Sequence, residues 1–76
     1  MDASIEHTWR PHHGNPNYQV LNNATHSLVR TIPMPDGRYL WQFRKVCGRA
    51  VSIEAAKECV EAGYEFFRVF RRNPWA

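Results

Sequence analysis

The chain has 76 residues, 43% of them hydrophobic and 22% charged, with ten Lys and Arg against seven Asp and Glu for a formal net charge of +3. A chain this short makes one domain with a small core, and its apolar content excludes wholesale disorder. The positive charge is thinner than a dedicated nucleic-acid binder of this size usually carries, no apolar run approaches the ~20 residues that span a bilayer, and the N-terminal MDASIEHTWRPHH lacks the apolar stretch of a secretion signal. Two cysteines, Cys47 and Cys59, are too few for a disulfide framework, so the expectation is a cytoplasmic protein with free thiols.

In chain order, residues 1–17 are polar and punctuated by Pro11, Gly14 and Pro16, which predicts an irregular N-terminal arm ahead of a single α+β domain over 18–76. Ile5 and Trp9 lie four apart and would either form one helical turn or pin the arm to the core. Residues 18–21 are a short strand candidate. Residues 27–32 form a second, with Leu28, Arg30 and Ile32 alternating against Val29 and Thr31. Met34-Pro35-Asp36-Gly37 then predicts a hairpin turn, proline presetting φ at the second position and glycine supplying a positive φ at the end. Residues 38–46 are the strongest strand: Tyr39, Trp41 and Phe43 point one way, to face a helix, while Leu40, Gln42, Arg44 and Val46 point the other. Cys47-Gly48 is expected to break that run, which residues 49–51 resume briefly.

The last third predicts one amphipathic helix over 52–72. Glu54, Lys57, Glu58, Glu61, Glu65, Arg68 and Arg72 recur every three or four residues and form a solvated row. Acidic residues fill its first half and arginines its last turn, as the helix macrodipole favours. Ser52 has the hydroxyl for an N-cap, and Asn73-Pro74 stops the helix. The competing reading, a helix ending at Gly63 followed by a strand over 64–71, makes the even spacing of the charges accidental. A mid-helix glycine costs only about 1 kcal/mol, so the long helix is preferred. Ile53, Ala56, Val60, Gly63, Tyr64, Phe67 and Phe70 then form the core stripe. Cys59, Phe66 and Val69, with Ala55 and Ala62, widen the apolar arc beyond what a three-stranded sheet covers. Two covers are expected for that flank: the N-terminal arm through Trp9, Tyr18 or Trp75, or another molecule, which is a second copy paired through the helix or a host protein.

Chemistry-bearing constellations are sparse. His12, His13, Cys47 and Cys59 lack the paired close spacing of zinc modules, so no metal or other cofactor is expected. The chain has no Gly-rich phosphate loop, no G-x-S-x-G elbow and no carboxylate pair outside the helix row, so it is not expected to be an enzyme. Arg30, Arg38, Arg44, Lys45 and Arg49 make the strand half basic, a layout compatible with phosphate contacts. Arginines that keep edge strands from pairing between molecules would look the same.

GRYLWQFRKV, a glycine break and SIEAAKECVEAG together resemble, over residues 37–63, the strand-then-helix layout of small phage-encoded accessory proteins, including anti-CRISPR inhibitors. The resemblance is architectural and carries no functional residue with it. It implies a protein without an active site that binds and blocks a host macromolecule. The expectation is therefore a three-stranded antiparallel sheet packed against one long C-terminal helix, acting as a non-catalytic inhibitor or adaptor on a host protein or ribonucleoprotein complex. Its candidate contacts are the apolar flank of Cys59, Phe66 and Val69 and the basic face of Arg30, Arg44, Lys45 and Arg49. The alternative is a small nucleic-acid-binding regulator that uses the basic face.

Overall fold

The computed structural model describes residues 7–22 and 24–74, in which β1 (Trp9–Pro11), β2 (Tyr18–Leu21), β3 (Ala24–Arg30), β4 (Tyr39–Phe43) and β5 (Val46–Ala50) precede α1 (Ile53–Phe70). Each strand pairs antiparallel with the next, so the sheet order is β1-β2-β3-β4-β5, a meander with α1 laid over one face. The fold is α+β with an antiparallel sheet and one C-terminal helix, but the sheet has five strands rather than three.

The two additional strands have separate causes. Residues 9–11 are not irregular: Trp9 pairs with Leu21, Arg10 with Val20 and Pro11 with Gln19. Proline is tolerated there because β1 is the sheet edge and needs no amide donor on its open side. The run over 38–46 is two strands, because Arg44 and Lys45 form a two-residue turn that sets Phe43 opposite Val46. Arg44 takes a left-handed φ of 57°, a conformation that usually selects glycine or asparagine. Gly48 does not break β5, which runs unbroken from Val46 to Ala50.

The other local signals act as their chemistry dictates. Gly37 N–H donates to Met34 O at 2.8 Å, Gly37 has φ 81°, and Asp36 Oδ1 accepts from Arg38 N at 2.9 Å, closing the predicted turn. Ser52 Oγ accepts from Ala55 N at 3.0 Å as the N-cap of α1. Residues 64–70 are helix, so the strand alternative does not hold. The helix ends at Phe70, two residues before its expected limit, because Arg71 adopts a left-handed φ of 61° and donates its N–H to Phe67 O at 2.7 Å.

Alternation along the strands decides what meets the helix. Val29, Trp41 and Phe43 are buried beneath α1 with Leu21, Ala56 and Val60, and Gly63 is buried mid-helix. Tyr39, Trp41 and Phe43 thus face the helix as expected, and Phe43 meets Phe67 edge-on with ring centroids 6.2 Å apart. The helix lies mainly on β3 and β4 and less on β5. Its 18 residues extend about 27 Å against roughly 17 Å for five-residue β4, so it outruns the sheet. Phe70 consequently is not core and stays 57% exposed.

Candidate functional site

The uncovered end of α1 is the first candidate site. Val69 is 70% exposed and Phe70 57%, while Phe66 stacks on Phe70 with ring centroids 4.5 Å apart. Glu58, Glu61 and Glu65 border the shallow groove that these side chains form with Ala62. Large aliphatic and aromatic groups left in water forgo about 1.5–3 kcal/mol each relative to burial. Among the three flank residues expected from sequence, Phe66 and Val69 belong to this patch. Cys59 is half-buried and packs against the core.

The arm docks beside this groove, along the Glu61 and Glu65 edge of the helix. Trp9 Nε1 donates to Glu61 Oε2 at 2.7 Å, and Lys57 Nζ lies 5.5 Å from the centre of the Trp9 ring. His7 adds contacts from Nδ1 to Glu61 Oε1 at 3.6 Å and from Nε2 to Glu65 Oε2 at 3.0 Å. Lys57 and Glu61, expected to be solvated, are therefore the clamp that holds the arm. The described part of the arm, residues 7–17, holds the helix at Lys57, Glu61 and Glu65, and Val69 and Phe70 stay exposed. Trp75 and Ile5, two other expected anchors, lie outside the described residues.

The four basic candidates do not share one patch. Arg44 and Lys45 occupy the β4–β5 turn, whereas Arg49 sits toward the other end of the same hairpin, opposite Leu40. Arg44 turns onto the helix side, its guanidinium 4.1 Å from the Phe67 ring centre, instead of pointing outward beside Gln42. Arg49 Nη1 donates to Asp36 Oδ2 at 2.8 Å, and Arg30 Nη1 contacts Met34 Sδ. Asp36 is held below its ordinary carboxylate range by the Arg38 backbone N–H and by the Arg49 guanidinium. The face of the sheet away from α1 carries Arg30 opposite Tyr18 and Arg10 opposite Val20, and a separate cavity of about 250 Å³ lined by His12, Asn15, Tyr18, Leu28, Leu40 and Gln42.

Among the described residues, no three of His, Cys, Asp and Glu converge as metal ligands. Both cysteines are free, Cys47 exposed on β5 and Cys59 on α1, where partial burial and, secondarily, the neighbouring Glu58 push the thiol up. That shift disfavours the thiolate, the form a nucleophile needs. No helix among the described residues is long and apolar enough to cross a membrane. No family model, curated protein or solved structure matches the chain.

Proposed function

We propose that the chain is a non-catalytic protein-binding module, an inhibitor or adaptor of the kind phage-encoded anti-CRISPR proteins represent, which blocks a host macromolecular complex through the end of α1. The observation that carries this reading is the Phe66–Phe70 ring pair beside an exposed Val69, bordered by three glutamates. An apolar centre with a charged rim is the anatomy of a protein interface, and aromatic rings are its commonest anchors. Glu61 and Glu65 of that rim also hold Trp9 and His7 of the arm, so the exposed Glu58 is the rim charge that favours a basic residue beside the partner's apolar pocket.

The test is capture from host extract by the immobilised chain and by Val69→Asp, both with native circular dichroism. The reading requires a protein retained by the wild type and lost by the variant. Equal retention by both would discard it.

The second reading is a nucleic-acid-binding regulator, favoured by Arg10, Arg30 and Tyr18 on the sheet face that α1 leaves bare. Its affinity for DNA or RNA would fall steeply with salt, and Arg30→Ala would reduce the slope by about one. No binding at low salt removes it.

A further inference from the structure

We propose that the cleft between the β4–β5 turn and the C-terminal end of α1 binds a compact oxyanion of the phosphate-monoester class. Ser27 on β3 is fully buried beneath the helix, and its Oγ has no hydrogen-bond partner. A buried hydroxyl left unpaired is costly and needs an explanation. Ser27 lines a cavity of about 210 Å³ whose other polar walls are His26, Arg44, Tyr64, Arg68 and Arg71. No carboxylate lines that cavity. Among the described residues, none of the three arginines forms an ion pair.

The backbone gives an independent indication. Among the described residues three non-glycine residues have positive φ, and two of them, Arg44 and Arg71, line this cavity. Left-handed conformations at such residues are unfavourable and cluster at binding sites. Arg44 is anchored over the Phe67 ring and lies 3.1 Å from His26 Nε2 through Nη1, which fixes one donor fork at the cleft wall. Guanidinium groups recognise phosphate oxygens bidentately. The last carbonyls of α1 oppose an anion there, but three guanidiniums outweigh the half charge of a helix end.

Size and depth set the ligand class. The volume lies below the ~300 Å³ at which pockets begin to enclose whole drug-sized ligands. A terminal phosphate can enter a recess of this size end-on, with Ser27 in its buried wall, which a phosphodiester running over the surface does not. The site stands apart from the exposed helix flank, because Phe67 faces the sheet and Val69 faces solvent.

Amide spectra titrated with inorganic phosphate and with O-phosphoserine, against chloride at equal ionic strength, test the site and separate free from peptide-borne phosphate. Expected are saturable shifts at residues 26–27, 44 and 68–71. Affinity should drop about tenfold or more in the Arg68→Gln/Arg71→Gly double variant, in which glycine suits the left-handed position. Ser27→Ala should fold at least as stably, having lost an unpaired hydroxyl, yet bind more weakly. Shifts that do not saturate, or phosphate binding unchanged by Ser27→Ala, would overturn the proposal and leave water as the occupant. An oligonucleotide without a terminal phosphate binding as tightly as phosphate would overturn the monoester class.

Discussion

Gly48 lies directly opposite Trp41 across the β4–β5 hairpin, and the indole occupies the space a side chain at position 48 would need. A Cβ at Gly48 would fall 2.6 Å from Trp41 Cε2 and 2.9 Å from Nε1 and would overlap Cζ2. Trp41 is itself buried beneath α1, so the ring cannot swing away without disturbing the helix contact. Glycine here is the counterpart of a large aromatic and not a strand terminator. We predict that Gly48→Ala destabilises the fold by about 1–3 kcal/mol, the usual range for overpacking. Thermal unfolding would register each kcal/mol as a drop of roughly 4–8 °C for a domain of this size.

The Trp9–Glu61 clamp predicts a graded series. Glu61→Gln retains an acceptor for the indole N–H but loses the charge, and should cost about 1 kcal/mol or less. Trp9→Ala removes the ring that packs on the core and should cost about 2–4 kcal/mol. Equal effects of the two changes in urea unfolding would contradict the clamp.

Asp36 predicts a pH dependence of defined sign. Its folded-state pKa lies below the ordinary 3.8, so its contribution is present above that value and disappears as the pH falls through the depressed one. The stability gap between the wild type and Asp36→Asn should therefore be open at neutral pH and close on acidification below 3.8. Added salt should narrow the gap at neutral pH, since the Arg49 pair is exposed. A gap that widens in acid would contradict this assignment.

Thiol chemistry should separate the two cysteines. Cys47 is exposed, whereas the Cys59 thiol is half-buried and shifted away from thiolate. Iodoacetamide at neutral pH is expected to alkylate Cys47 first, as peptide mass mapping would show. Faster modification of Cys59 would mean that α1 opens there.

Where a conformation is fixed by neighbours in sequence, it was legible without the structure. The Met34–Gly37 turn and the Ser52 cap rest on contacts within a few residues, and the alternation of Tyr39, Trp41 and Phe43 is a period read along one strand. The Arg44-Lys45 turn has no such signal, because neither residue is a turn former. Arg44 is instead anchored by Phe67, 23 residues later, and its N–H donates to His26 O at 2.6 Å. β1 was hidden for a similar reason: three residues ending in proline show no alternation, and Trp9 finds Glu61 across 52 positions. At the candidate site, helical spacing located Phe66 and Val69 on the flank but assigned Phe70 to the core. The period gives a direction around the helix and does not say where the sheet beneath it ends.

Phe66, Val69 and Phe70 are the residues on which the proposed binding of a host protein rests. The direct measurement is host-extract capture by the wild type and Val69→Asp, with light scattering on each purified chain. The predicted result is a monomer in both cases and a retained host protein that the variant loses. Retention of the same proteins by both chains would contradict the claim. So would a wild-type mass of two copies that Val69→Asp halves, which would make a second copy of the chain the occupant of the flank.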